Sequence, residues 1–300
     1  MTAAALPRPP ARLVRAQGAS SADWLAGLPA LAGSLLRRWD LTAERVAEPG
    51  GRDSLTVLVR TASGGRAALK ICAPSAPATL EEAALRRWNG LGAVRLLREA
   101  PREGALLLER LHGETSLRSL PEAKASLEAV SAVRRLWVEP GAGHPFPSVA
   151  ERTGAQAERM RAGAPREAGG LVAEALRLRA GLLAAAPAGR LLHGDFRQGA
   201  VLASDDERAR WLAVGPEPVV GEPAYDLARL VRDRLHDLVA SAGGPAVTRR
   251  RVARLADAVE VEPERLRAWS LFRAVESGVR NLAAGNRADG EMLLEFAGWL

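Results

Sequence analysis

Residues 191–230 have the sequence LLHGDFRQGAVLASDDERARWLAVGPEPVVGEPAYDLARL, which is the most informative stretch of the chain. Two leucines precede His193-Gly194-Asp195, and short apolar runs follow near Val201 and at Trp211–Val214. Short apolar runs bounded by Gly, Pro and Asp are typical of strands joined by loops. Helical spacing then begins close to Asp226. The stretch therefore predicts short strands whose acidic neighbours lie on loops or at a helix start.

The composition is that of an ordinary soluble globular protein, since 47% of the 300 residues are hydrophobic and 26% are charged. This length allows two lobes around a cleft. No run of eighteen apolar residues occurs, which predicts no membrane span. Residues 1–20 lack a continuous apolar core, so we expect a flexible N-terminus and no secretion signal. The single cysteine, Cys72, cannot form an internal disulfide, which is consistent with the cytoplasm.

Basic residues outnumber acidic ones by 42 to 35, which gives a formal net charge of +7. They are spread along the chain without an aromatic-basic pattern or a binding motif, so we expect no nucleic-acid partner. Only Lys70 and Lys124 are lysines, and the other 40 basic residues are arginines. A lysine in an apolar strand of such a chain indicates a specific role, because Arg and Lys are not interchangeable where a compact charge must reach a phosphate.

The first third of the chain is predicted to be a small sheet with helices. Apolar residues at helical spacing predict a helix over Trp24–Trp39, and two strand-like runs around the turn Ala62–Gly65 predict a hairpin. A helix at Thr79–Trp88 and a second pair of strands follow, and the chain after residue 115 is mainly helical. We therefore predict an α+β protein with a small β-rich lobe, residues 21–109, and a larger helical lobe, residues 110–300.

This organisation resembles the aminoglycoside and hydroxyurea phosphotransferases, in particular their streptomycin 6-phosphotransferase branch. The resemblance runs from about Trp24 to the C-terminus, and the order and spacing of its motifs make it specific. The matching motifs are Leu69-Lys70, Ala84–Trp88, Gly92–Leu97, Ala105–Leu111, His193–Asp195, Pro218–Leu227 and Arg273–Ser277. The resemblance implies a protein-kinase-like, two-lobed fold. It also implies transfer of the γ-phosphoryl group of ATP to a hydroxyl of a small antibiotic, so a nucleotide and an antibiotic-like molecule are the expected ligands.

The resemblance implies nucleotide-binding roles in the first lobe. Lys70 would contact the phosphates and pair with a carboxylate of the following helix, either Glu81 or Glu82. Glu109 to Leu111 would form the hinge whose backbone meets the adenine edge. The plainer alternatives are a lysine that extends along an edge strand and a simple connection between lobes.

In the second lobe, the resemblance makes Asp195 the group that orients and deprotonates the acceptor hydroxyl. His193 is expected to pack and form hydrogen bonds beside it, rather than to carry a proton. Asp226 is expected to brace the catalytic loop from the start of a helix, without touching the substrate.

Two positions depart from the family pattern. The family holds its divalent metal with an Asn five residues after the catalytic Asp and with an Asp after the next strand. Here these positions are Ala200 and Gly215, which offer none of the side-chain oxygens that Mg²⁺ prefers. Gln198 and Glu217 each lie two residues from a lost ligand and could rebuild a metal site. The alternative is that both face solvent.

Three functions therefore remain open. The paired loss of metal ligands favours a pseudokinase, which binds a nucleotide, a small molecule or a partner without efficient transfer, because the loss should cost roughly a thousandfold or more in rate. ATP remains a possible ligand of such a protein. The retained Lys70 and Asp195 favour an active antibiotic phosphotransferase with a rearranged metal site. A third function is sequestration of a cationic antibiotic by Asp233 or Glu276, for which surface ion pairs are the alternative. The substrate and any protein partner cannot be predicted from these motifs.

Overall fold

The computed structural model describes residues 7–18, 21–76 and 78–300, and the chain divides into two compact units. The first unit consists of Met1–Thr115 with Leu202–Val214, and the second of Ser116–Val201 with Gly215–Leu300. This differs from our expectation that all residues after 109 belong to the helical lobe. The difference arises from one hairpin that returns to the first unit.

A five-stranded antiparallel sheet forms the core of the first unit. Its strands are β1 (Leu41–Val46), β2 (Ser54–Thr61), β3 (Arg66–Cys72), β4 (Leu96–Ala100) and β5 (Ala105–Glu109), in the spatial order β1-β2-β3-β5-β4. Buried residues alternate along β3, where Leu69 and Ile71 are fully buried, because successive side chains of a strand point to opposite faces. The central position of β3 places Lys70 between two neighbouring strands, Thr56 on one side and Leu106 on the other.

Helices α1 (Ala11–Gln17) and α2 (Ala22–Arg38) pack against this sheet, and α3 (Ala78–Trp88) follows β3. Helix α1 lies in the segment that we expected to be flexible. It is ordered because Leu13 is fully buried in the core cluster of the sheet and the Gln17 amide donates to the carbonyl of Arg52 at 3.0 Å. The rest of that expectation, residues 1–6, 19 and 20, lies outside the described residues.

The hairpin that returns to the first unit contains β8 (Val201–Ala203) and β9 (Trp211–Ala213), which join β6 (His112–Ser116) in a sheet of order β6-β8-β9. The backbone of Ala213 donates to the carbonyl of Gly92 and accepts from the amide of Val94, both at 2.9 Å. The Arg208 Nε donates to the carbonyl of Gly90 at 3.0 Å. These long-range bonds explain why residues 202–214 belong with the first unit.

The second unit is mainly helical. Its elements are α4 (Glu122–Arg134), α5 (Val149–Gly163), α6 (Gly169–Ala184), β7 (Arg190–Leu192), β10 (Val219–Gly221), α7 (Pro223–Val231), α8 (Leu235–Val239), α9 (Gly244–Ala258), α10 (Pro263–Ala283) and α11 (Arg287–Ala297). Strands β7 and β10 pair antiparallel, which brings the two loops beside them together. The predicted α+β division, with a sheet first and helices after it, is confirmed. In the described part of the chain, no helix has the length and apolar character needed to cross a membrane.

Candidate active site

Lys70 forms a buried ion pair in the first unit. Its Nζ donates to Oε2 of Glu81 at 2.5 Å. Burial by itself lowers the pKa of Lys70, but the Glu81 carboxylate outweighs it, so the pKa is raised and the ammonium stays charged. Glu82 instead pairs with Arg86 one turn along α3. Of the two carboxylates left open by the sequence, Glu81 is therefore the one that faces Lys70.

Cys72 lies two residues after Lys70 on the same face of β3, and its thiol contacts the same Glu81 oxygen at 3.8 Å. Burial first, and then the Glu81 carboxylate, raises the pKa of Cys72 to about 12. The thiol is therefore neutral and unreactive at ordinary pH. The second oxygen of Glu81 is buried and has no hydrogen-bond partner among the described residues, so the pair is built around one carboxylate oxygen.

The predicted hinge begins at Glu109, the last residue of β5. Its carboxylate accepts a hydrogen bond from the amide of Arg95 at 2.7 Å and pairs with Arg208 of the returning hairpin. Its own amide donates to the carbonyl of Arg95 at 3.0 Å. The Glu109 side chain therefore ties the hairpin to the sheet. Because this side chain is engaged, a ligand at the predicted hinge would have to contact the backbone between Glu109 and the buried Leu111.

In the second unit, Asp226 holds the loop that follows β7. It is fully buried in the first turn of α7 and accepts hydrogen bonds from the amides of His193 at 2.8 Å and Gly194 at 2.7 Å. The indole Nε1 of Trp137 donates to the same carboxylate at 3.2 Å. Asp226 therefore braces the loop from beneath, where a substrate could not reach it.

Gly194 is required by a close approach between this loop and the segment that precedes β10. Its φ is +81°, and a Cβ at this position would lie 1.8 Å from the carbonyl oxygen of Glu217. The neighbouring His193 is fully buried, and its Nδ1 accepts a hydrogen bond from the amide of Asp195 at 3.3 Å. Its ring also packs edge-on against Phe196, with 5.6 Å between the centroids. His193 therefore packs in the interior, and its ring nitrogen holds the backbone amide of Asp195.

Trp137→Phe is expected to lower the free energy of unfolding by about 1 to 2 kcal/mol, because it removes a hydrogen bond to the buried Asp226 carboxylate. Urea denaturation monitored by circular dichroism measures this change. Trp299→Phe is the matched control, since that indole has no hydrogen-bond partner among the described residues. Equal effects of the two changes would contradict the bracing role of Trp137.

Asp195, the predicted base, is held by two arginines. Its Oδ2 lies 3.1 Å from Nε of Arg197, and its Oδ1 lies 3.1 Å from Nε of Arg229. Burial by itself raises the pKa of Asp195, but Arg229, Arg197 and Arg273 together lower it to about 2. A carboxylate with so low a pKa is a weak base, and both of its oxygens already have cationic partners. The Asp195 carboxylate thus holds the Arg197 and Arg229 side chains by electrostatic attraction, and we call this its anchor role.

These arginines are absent from the site that the sequence predicts. Arg197 lies two residues after Asp195, and Arg229 lies one helical turn after Asp226 on α7. Arg273 of α10 donates to the carbonyls of Gly194 and Tyr225 at 2.8 and 3.1 Å. The short spacing of Arg197 from Asp195 could have indicated that these two side chains form an ion pair. Arg229 and Arg273 are brought to the loop by helix packing. Arg273 begins one of the motifs that carry the family resemblance, but that motif does not by itself indicate a contact with the loop.

Ala200 and Gly215 stand where the family resemblance implies metal ligands, and neither has a side-chain oxygen. Ala200 is buried, and Gly215 has open space around it at a φ of +63°. The Gln198 oxygen accepts a hydrogen bond from Nε of Arg234 at 3.1 Å, and Glu217 pairs with Arg152 at 3.3 Å. Among residues 7–18, 21–76 and 78–300, no group of three or more His, Cys, Asp or Glu side chains is placed to hold a metal ion. The residues present therefore do not fit Mg²⁺.

The acidic residues considered for antibiotic capture are engaged within the second unit. Asp233 accepts a hydrogen bond from the amide of Gln198 at 2.6 Å, and burial raises its pKa. Glu276 is buried, accepts from the hydroxyl of Ser277 at 3.2 Å and lies 3.3 Å from Arg280. Because both carboxylates have internal partners, neither gives specific support to cation sequestration.

Comparison with known proteins adds sequence relatives along nearly the whole chain. The sequence profile of the family described as "Aminoglycoside/hydroxyurea antibiotic resistance kinase" matches residues 38–285. The streptomycin 6-kinase of Streptomyces glaucescens is 33% identical over 285 residues, which cover 93% of this chain and 91% of that protein. The hydroxyurea phosphotransferase of Kitasatospora aureofaciens is 37% identical over 284 residues, which cover 89% of this chain and 78% of that protein.

Solved structures share the fold at much lower identity. A thermostable mutant of the aminoglycoside phosphotransferase APH(4)-Ia, in a ternary complex with AMP-PNP and hygromycin B, has a TM-score of 0.62 at 18% identity. The match covers 89% of this chain and 96% of that one. A choline kinase from Streptococcus pneumoniae has a TM-score of 0.63 at 10% identity, over 90% of this chain and 98% of that one. The predicted kinase-like fold is thus confirmed, and the chain belongs to the aminoglycoside/hydroxyurea antibiotic resistance kinase family.

Proposed function

We propose that this protein is a pseudokinase of its family, with absent or weak transfer of a phosphoryl group from ATP to an antibiotic hydroxyl. The proposal is supported by what the loop after β7 and the segment before β10 lack, and by how Asp195 is paired. Ala200 and Gly215 supply no metal ligands, and Asp195 is paired with two arginines. Transfer from ATP depends on cationic neutralisation of the phosphates and on an oriented acceptor hydroxyl. Both requirements are weakened at this loop.

The proposal retains a nucleotide site in the first unit. Lys70, held by Glu81, would contact the phosphates of ATP, and the backbone from Glu109 to Leu111 would meet the adenine edge. Its support is the buried, charged Lys70–Glu81 pair and the ternary complex of the related fold with AMP-PNP. In the second unit, Asp226 and His193 would maintain the loop and take no part in proton transfer.

The first experiment measures ADP release by the purified protein. ATP, Mg²⁺ or Mn²⁺ and either streptomycin-like aminoglycosides or hydroxyurea are supplied, and Asp195→Ala serves as the reference. We expect no turnover above that of Asp195→Ala. Metal-dependent turnover that Asp195→Ala abolishes would instead establish the active phosphotransferase with a rearranged metal site.

Nucleotide binding is tested separately by thermal unfolding with ATP, in the presence of either Mg²⁺ or EDTA. We expect ATP to raise the melting temperature equally in both conditions, because the proposed nucleotide site has no metal. Lys70→Met should lose most of this increase. Lys124→Met, which changes the other lysine of the chain at an exposed position of α4, should keep it. An increase that requires Mg²⁺ would count against a metal-free site.

A further inference from the structure

Arg197 and Arg229 present unused hydrogen-bond donors beside Asp195. The closest contact of each guanidinium to the carboxylate is made through Nε, at 3.1 Å in both cases. The terminal nitrogens of both side chains have no hydrogen-bond partner among the described residues. Their side chains are 42% and 26% exposed. In the described part of the chain, none of their terminal nitrogens is among the buried atoms that lack a partner, so these nitrogens reach solvent.

These two arginines, named here the arginine pair, share one carboxylate. Among the described residues, Asp195 is the only carboxylate within 4 Å of either guanidinium, so one positive charge of the pair lacks a direct partner. The nearby guanidinium of Arg273 adds to the positive potential. Besides Asp195, the carboxylate that acts electrostatically on Arg229 is that of Asp233, which already accepts a hydrogen bond from the amide of Gln198. The solvent side of the arginine pair is therefore attractive to an anion.

We propose that the arginine pair is a metal-free binding site for a phosphate group. Planar guanidinium groups bind the oxygens of phosphate through paired N–H donors, and a tetrahedral dianion can accept from two of them at once. The proposal rests on the proposed function in one respect, since it requires that guanidinium charge acts where no metal is held. The same chemistry would accept inorganic phosphate, a nucleotide phosphate or a phosphorylated small molecule.

The mode of contact with Asp195 supports a ligand site over a purely structural ion pair. An arginine that only bridges a carboxylate commonly uses two parallel N–H donors, which engages its terminal nitrogens. Here Nε of Arg197 donates to one carboxylate oxygen, and Nε of Arg229 lies 3.1 Å from the other in an ion pair. The terminal nitrogens of both side chains have no hydrogen-bond partner among the described residues. Asp195 thus fixes the two guanidinium groups while competing with an incoming anion for their charge.

The test is calorimetric titration with inorganic phosphate in EDTA, at an ionic strength held constant with chloride. We expect saturable binding that Arg197→Gln and Arg229→Gln each weaken at least about tenfold, as expected for loss of a charge-assisted contact. Asp195→Asn should bind phosphate more tightly, because the competing charge is gone. Arg161→Gln is the control, since that arginine pairs with Glu158 at a similar exposure of 52% and should leave binding unchanged.

Arginine variants that fail to fold are replaced by Arg197→Lys and Arg229→Lys, which keep the charge and lose the paired donors. Parallel titrations with ADP and glucose 6-phosphate separate nucleotide from sugar-phosphate sources. The absence of phosphate binding, or binding that is indifferent to both arginines, would overturn the inference. Neither result bears on turnover with Mg²⁺, so failure of the phosphate site and failure of the pseudokinase proposal are distinguishable.

Discussion

Asp195→Asn is expected to lower the free energy of unfolding by about 2 to 3 kcal/mol. The pKa of Asp195 is about 2, compared with an ordinary value of 3.8, which corresponds to about 2 kcal/mol at neutral pH. The change also leaves Arg197 and Arg229 side by side without their shared carboxylate. Because the folded pKa is the lower one, this stabilisation is complete above about pH 5 and is lost as the pH falls toward 2.

Urea denaturation at pH 7 measures the effect, and the melting temperature should fall by roughly 4 to 12 °C. Asp257→Asn is the control, because Asp257 is an exposed carboxylate of the same unit with no ion pair to a described residue. A free catalytic base gives the opposite result, since removal of a strained functional group commonly leaves stability unchanged or raised. An Asp195→Asn variant as stable as the parent would therefore contradict the anchor role.

Restoring both metal ligands, with Ala200→Asn and Gly215→Asp, is expected to leave phosphoryl transfer within about tenfold of the parent. The reason is that Arg229 still contacts one oxygen of Asp195 and helps to keep its pKa near 2. Adding Arg229→Gln should then raise Mg²⁺-dependent ADP release by roughly a thousandfold, the rate expected from regained charge stabilisation. Steady-state assays with streptomycin and hydroxyurea compare the variants.

The local structure allows these changes to be tested. Asp is among the residues that tolerate a left-handed backbone, and Gly215 has open space where a side chain would begin. Arg161→Gln added to the double change is the control for the loss of an arginine. Full activity of the double variant would show that the arginine contacts do not impair Asp195. An inactive but folded triple variant would show that Ala200, Gly215 and Arg229 do not by themselves account for the absent or weak transfer that we propose.

The ion pair of Lys70 shows what the sequence could predict and where it could not decide. Strand and helix periodicity located β3 and α3, and the family resemblance implied that a carboxylate of α3, Glu81 or Glu82, pairs with the lysine. Choosing Glu81 over Glu82 requires the rotation of the helix about its axis, because adjacent residues point about 100° apart. That rotation is set by burial of Ala84, Leu85 and Trp88 against the rest of the unit, which is a tertiary effect.

Two features of the candidate site depend on contacts between distant parts of the chain. An arginine in a helix normally faces solvent, so the position of Arg229 gave no reason to place it at Asp195. Its place follows from the bonds of Asp226 to the backbone of His193 and Gly194, which dock α7 under the loop. The returning hairpin is joined to the first unit by Ala213 and Arg208, and no local pattern indicates those partners.

The returning hairpin also sets an order of events during synthesis. The ribosome makes the five strands of the first sheet early, but Glu109 and Gly90 cannot meet Arg208 until residues 116–208 have been added. At cellular rates of elongation this delay is roughly 5 to 20 s. During this time the Glu109 carboxylate lacks its arginine partner, and β6 lacks the strand β8 with which it pairs. A fragment that stops at residue 115 would remain in this incomplete state, so the first unit is separable only if residues 202–214 are supplied with it.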